Sequence, residues 1–202
     1  AFPNAKALIK TLYKKGYNVS SFDIDENLEK DVLDAALEYD KVLFFGGLSE
    51  EAESEGFDRD TMKLPYNQVH LINELVKLGK KVIFIIYGGS PVELDFEDGV
   101  DAILNMYLPG QEGGNATYDL VFGDVSPSGR LCETWTYKYE DVPFGNELCK
   151  TTNDLYKESI FVGYRYYSTY GVDVRYPFGY GLSYASFTYS NMNVSKLDDS
   201  IK

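Results

Sequence analysis

The chain has 202 residues with 19 Lys and Arg against 32 Asp and Glu, a formal net charge of −13, and 44% of its residues are hydrophobic. That balance argues against a nucleic-acid partner, because phosphate recognition draws on clustered Lys and Arg, and it disfavours anionic membranes. No run approaches 18 apolar residues, so no bilayer-spanning helix is expected, and the length suits one large domain burying about 70% of its unfolded surface.

In chain order, Ala5, Leu8, Ile9 and Leu12 recur at helical spacing between Asn4 and Gly16, predicting a helix over residues 5–15. The chain starts just before this helix without a Met, so it reads as a piece of something longer. Residues 17–22 read as a short strand. Asp25, Glu26 and Asn27 open a second helix with Leu28, Val32, Leu33, Ala36 and Leu37 on one face. Residues 41–45 form a continuous apolar run stopped by Gly46 and Gly47, the pattern of a strand covered on both faces. Residues 66–78 are again helical, with Val69, Ile72, Leu75 and Val76 inward, and residues 80–87 give a second covered strand. A third strand is expected over residues 100–106 and a helix over 115–122. Residues 141–155 hold Pro, Gly, Asn and Asp with little periodicity and read as a loop.

Strands alternating with helices in short units predict an α/β fold, a three-layer α/β sandwich with a mostly parallel central sheet. The runs 41–45 and 80–87 are its adjacent or near-adjacent central strands. In open α/β sheets ligands sit beyond the carboxyl ends of the strands, where the Gly46-Gly47 and Gly88-Gly89-Ser90 turns and the Pro109-Gly110 turn would lie. Neither glycine turn is a dinucleotide fingerprint or a Walker loop, so no nucleotide cofactor is expected. His70, the single histidine, falls on a helix, and no histidine-rich metal cluster is present, so no metal site is predicted. The acidic run Glu50, Glu51, Glu53, Glu55, Asp58 and Asp60 fits no EF-hand spacing and reads as a solvated loop. Cys132 and Cys149 are compatible with free thiols or with one disulfide.

Residues 155–189 hold nine tyrosines and one glutamate, Glu158, set between Tyr156 and the Ile160-Phe161 pair. An apolar aromatic setting disfavours a charged carboxylate and raises its pKa, which suits a general acid near neutral pH.

The run from Tyr156 through Glu158 to Tyr167 resembles the acid/base segment of glycoside hydrolase family 3, the β-glucosidase family. Tyr176-Pro177-Phe178-Gly179-Tyr180-Gly181-Leu182-Ser183-Tyr184 is similar to the segment closing that family's second domain. Glu55-Gly56-Phe57-Asp58-Arg59 with Leu64-Pro65 and Gln68, then residues 109–116 and 122–131, complete five motifs in family order. Ser159 stands where many members carry Gly, and Cys132 where a proline is common.

The resemblance implies a retaining glycosidase acting on an oligosaccharide or glycoside, with Glu158 as catalytic general acid/base. It places the nucleophile on a TIM-like barrel domain of the same polypeptide, and nothing in these 202 residues reads as such a barrel, which needs about 250 residues. The isolated chain is therefore expected to be inactive. Residues 1–186 would form the sandwich domain, and residues 187–202 a connecting arm or the start of a fibronectin-type-III-like domain. Glu55, Asp58 and Arg59 are read as structural or site-border residues, with Asp58 and Arg59 paired to brace their loop. The alternative reading is a non-catalytic carbohydrate-binding or scaffold domain.

Overall fold

A computed structural model describes residues 24–50, 52–56, 59, 61–147, 150, 152–153, 155–197 and 200–201. The helix and strand expected over residues 5–15 and 17–22 lie outside them. Helix α1 (Glu26–Ala36) begins where Asp25 caps it, its carboxylate accepting from the backbone N–H of Asn27 at 3.0 Å and of Leu28 at 3.1 Å. Leu37 falls past the last turn and is 60% exposed, so it does not join the inward face expected of it.

Strands β1 (Lys41–Gly47), β2 (Lys81–Tyr87) and β3 (Ala102–Tyr107) pair in parallel, in the order β1-β2-β3. β2 separates the two sheet faces cleanly. Val82, Phe84 and Ile86 point toward helix α2 (Tyr66–Lys77) and meet Leu71, Ile72 and Leu75, all almost fully buried. Ile85 is equally buried on the opposite face, where the Tyr87 hydroxyl bonds Thr117 Oγ1 at 2.7 Å and ties down helix α3 (Gly113–Phe122). Helices thus flank both faces, giving the three layers expected. Each of the buried aliphatic or aromatic side chains contributes about 1.5–3 kcal/mol. Val92, Leu94, Phe96 and Trp135 extend the α2-side core, with Phe96 edge-on to Phe84 at 5.3 Å.

The two apolar runs are neighbours, as expected, but only β2 is central. Among the described residues β1 and β3 are the outer strands, and Phe45 of β1 is 41% exposed, so the 41–45 run is not the central strand covered on both faces that its apolar sequence predicts. His70 joins α2 to α1, its Nε2 lying 3.1 Å from Glu29 Oε2. Beyond the sheet, residues 131–135 run antiparallel to 176–180. Leu131 N–H bonds Tyr180 O at 2.9 Å, Gly179 N–H bonds Leu131 O at 2.8 Å, and Trp135 N–H bonds Tyr176 O at 2.9 Å. Helix α4 (Tyr164–Tyr170) follows Glu158, and β4 (Lys196–Leu197) and β5 (Ser200–Ile201) form a short antiparallel pair. No helix among the described residues is long and apolar enough to cross a membrane.

Candidate functional site

The loops leaving β1 and β2 are built into each other at the carboxyl end of the sheet. Gly47 has φ 146°, and a Cβ there would sit 1.7 Å from Tyr87 O, so only glycine can take the position. Gln68 reaches from α2 to hold it. Its Oε1 accepts from Gly47 N–H and its Nε2 donates to Gly47 O, both at 2.9 Å. This gives the motif glutamine a mechanical task, satisfying two backbone groups where the ladder ends.

Farther along the β1 loop, Glu53 turns inward. Its carboxylate accepts from the Gly89 N–H at 2.7 Å and from the Ser90 hydroxyl. Arg59 Nη1 donates to the same Ser90 Oγ at 2.7 Å and to Pro91 O at 3.2 Å. Burial lowers the Arg59 pKa and Glu53 opposes that shift. The acidic run is therefore not simply a solvated loop, since Glu53 and Arg59 clamp the β1 loop to the β2 loop through Ser90. Arg59 braces as expected, but through Ser90 and Pro91; Asp58 lies outside the described residues. Glu55, next to Gly56 at φ 108°, stands exposed at the outer edge of this clamp. The sequence signal for Glu53 was faint, because one acid among six gives no sign of which one faces inward.

At the end of β3, Tyr107 adopts φ 49° after a register shift opposite Ile86 and Tyr87. Asn105 Oδ1 accepts from its N–H at 3.1 Å, supporting a conformation that non-glycine residues rarely take. Burial pushes the Tyr107 phenol up to about 12, aided by the Cys132 thiol 3.8 Å from its oxygen. Cys132 carries a free, exposed thiol, and Cys149 lies outside the described residues. Burial also raises the pKa of Glu133, with Glu53 adding to the shift and a hydrogen bond to Tyr107 opposing it. These residues form a polar floor beneath the loops, a feature no spacing in the sequence announces.

Glu158 lies in the turn of residues 157–160, partly buried, and its carbonyl accepts from Phe161 N–H at 2.8 Å. Ser159 follows at φ 50°, a left-handed position that explains why glycine is common there. A polar relay ties this turn to the body. Buried Glu93 accepts from Tyr139 N–H at 3.2 Å, the Tyr139 hydroxyl donates to Gly145 O at 2.9 Å, and Glu147 pairs with Lys157. Among the described residues of the expected 141–155 loop, regular structure is limited to single turns at Tyr139–Asp141 and Gly145–Glu147. Beyond it, Arg175 and the Tyr176 hydroxyl both converge on Glu97, with the Arg175 guanidinium 4.9 Å from the Tyr137 ring centre. Residues 155–180 are thus fastened to the sandwich at both ends, but Tyr156 and Ile160 beside Glu158 are 87% and 69% exposed, so they do not enclose the carboxyl in the apolar aromatic setting expected from the sequence.

The profile described as "Glycosyl hydrolase family 3 C-terminal domain" matches residues 3–184. The chain is 42% identical over 191 residues to thermostable β-glucosidase B of Acetivibrio thermocellus, covering 94% of this chain and 25% of that protein. It is 40% identical to an exo-α-(1→6)-L-arabinopyranosidase of Bifidobacterium breve, covering 93% of this chain and 25% of that one. Among solved structures, the β-glucosidase of Kluyveromyces marxianus in complex with glucose superposes with a TM-score of 0.80 at 35% identity, over 89% of this chain and 22% of that one. The chain spans about a quarter of the length of the curated relatives it matches. With the parallel three-layer fold, the five motifs and these matches in agreement, the chain belongs to glycoside hydrolase family 3, as its C-terminal domain.

Proposed function

We propose that this chain supplies the general acid/base carboxyl of a longer retaining β-glycosidase, and that Glu158 is that carboxyl. Residues 1–186 serve as the sandwich domain and residues 187–202 as the arm leading out of it. The observation carrying the reading is the seat of Glu158, a partly buried carboxyl held by the Lys157–Glu147 tether on an edge of exposed apolar side chains. A retaining glycosidase needs two carboxyls about 5–5.5 Å apart. Here the nucleophile belongs to a TIM-like barrel of the same polypeptide, and Glu158 meets it across a domain boundary. Glu158 gives its proton to the departing glycosidic oxygen and, in the second step, takes one from the water that releases the sugar. Relatives named for different sugars match this chain at 42% and 40% identity, so we assign the choice of sugar to the barrel.

A specific observation favours a second carboxylate for the same task. Glu55 is exposed on a loop clamped by Glu53, Ser90 and Arg59 at the carboxyl end of the sheet, the end where open α/β sheets bind ligands. The two readings separate in the longer gene product carrying this chain. Substituting the acid/base slows glycosides with poor leaving groups far more than activated aryl glycosides, because a good leaving group departs without a proton. Glu158→Gln is expected to give that contrast and Glu55→Gln a uniform change. The reverse pattern moves the role to Glu55, and a uniform loss in both variants removes it from this chain.

A further inference from the structure

The turn that carries Glu158 closes on itself. Lys157 N–H bonds Leu155 O at 2.8 Å, Ser159 N–H bonds Tyr156 O at 3.1 Å, and Phe161 N–H bonds Glu158 O at 2.8 Å. Whatever holds Lys157 therefore sets where Glu158 stands. Its ammonium is held by Glu147, with the two side chains 41% and 53% exposed. A surface ion pair of this kind contributes little to folding stability, yet it fixes a geometry.

Glu147 is itself held in place. Its N–H bonds Phe144 O at 2.9 Å, Gly145 N–H bonds Val142 O at 3.2 Å, and Val142 N–H bonds Tyr139 O at 3.0 Å. The Tyr139 hydroxyl spans the two turns by donating to Gly145 O at 2.9 Å, and a Cβ on Gly145 would lie 3.3 Å from the Tyr139 hydroxyl. The series ends inside the sandwich. Glu93, 6% exposed between the core residues Val92 and Leu94, accepts from Tyr139 N–H at 3.2 Å and donates its own N–H to Met62 O at 2.9 Å. Taking a carboxyl out of water is costly, and this one is directed at the backbone of a turn outside the sheet. The same Tyr139–Asp141 turn also reaches the far side of Glu158. Burial pushes the Tyr167 phenol on α4 up to about 12, and the Asp141 carboxylate adds to that rise.

We propose that Tyr139 and Glu147 are positioning residues for Glu158, carrying the fixed frame of buried Glu93 out to the acid/base turn through Lys157. The proposal rests on the reading of Glu158 as the acid/base. Each residue acts through the place it gives that turn, and a misplacement near 1 Å costs a catalytic group up to about a hundredfold.

Kinetics of the longer gene product test this, with the outer links substituted because removing buried Glu93 endangers folding itself. Glu147→Gln, Lys157→Gln and Tyr139→Phe are each expected to lower kcat/KM about tenfold for an alkyl β-glucoside. For a dinitrophenyl β-glucoside, whose leaving group needs no proton, the loss should stay below about twofold. Unfolding of the isolated chain should not change with Glu147→Gln. Glu147→Lys combined with Lys157→Glu restores the pair with its charges exchanged and should recover most of the loss. In a Glu158→Gln background, Glu147→Gln should have no further effect on the alkyl glucoside. Equal losses on both substrates, no loss on either, an exchanged pair that recovers nothing, or an additive loss with Glu158→Gln each overturns the inference. A leaving-group contrast in Glu158→Gln but not in Glu147→Gln overturns this inference alone. No contrast in Glu158→Gln overturns the proposed function, and this inference with it.

Discussion

Gln68→Ala is the perturbation most directly computable from the structure. Gln68 is 6% exposed and holds both the N–H and the C=O of buried Gly47 at 2.9 Å. Removing the amide leaves two buried backbone groups without partners at about 1–3 kcal/mol each, and partial rescue by water brings the expected loss to about 2–4 kcal/mol. Gln68→Met separates bonding from packing, since it keeps most of the volume and loses both hydrogen bonds. Urea unfolding followed by the single tryptophan, Trp135, which is buried in the same core, reports the change as a shift in midpoint at constant slope. The two variants are expected to fall together. A loss below about 0.5 kcal/mol in Gln68→Met would show that the bonds are replaceable and that Gln68 acts by volume alone.

Further outcomes follow from the same contacts. Glu53→Gln weakens the charge-assisted bonds to Gly89 and Ser90, so exchange of the Gly89 amide should speed by about tenfold, a loss near 1.4 kcal/mol; unchanged exchange would remove the clamp. Ser159→Gly relieves a left-handed serine and should stabilise the chain by up to about 1 kcal/mol, measured by the same urea midpoint; a destabilisation would contradict the φ of 50°. Glu133 has a folded pKa raised above its unfolded value, so the folded state binds the proton more tightly. Its contribution is therefore favourable at low pH and is lost as pH rises from the ordinary carboxylate range through the raised value. Glu133→Gln should flatten that part of the stability profile, and an unchanged slope would deny the burial effect. The isolated chain should not hydrolyse aryl β-glucosides, and turnover abolished by Glu158→Ala would show that it holds its own nucleophile.

The apolar runs made the sheet legible. Lys41–Gly47 and Lys81–Tyr87 are continuous enough to read as parallel strands and are paired along their full length, but their similar apolar runs did not reveal that β2 is central and β1 an outer strand with Phe45 open. Helix ends were readable where chemistry marks them, as at Asp25, and less so at Leu37, where the periodic pattern runs one residue past the last turn. The site was less legible because its devices are side chains meeting across long separations. Glu53 reaches Ser90, Glu93 reaches Tyr139, and Glu97 reaches Arg175 and Tyr176. Each of these acids looks in the sequence like any surface carboxylate. The left-handed Tyr107 was equally hidden, since an aromatic residue gives no hint of positive φ. Motif resemblance located the Glu55 and Glu158 segments, but spacing alone could not say which carboxyl faces a substrate.

Azide trapping in the longer gene product tests the central claim most directly. With an activated aryl β-glucoside, an enzyme lacking its acid/base still forms the glycosyl-enzyme but hydrolyses it slowly, and azide needs no proton removed to attack it. Glu158→Gln is predicted to be accelerated by azide and to yield the β-glycosyl azide, with Glu55→Gln giving only free sugar. No azide product from Glu158→Gln, with β-glycosyl azide from Glu55→Gln, would contradict the assignment of Glu158 and transfer the role to the clamped loop.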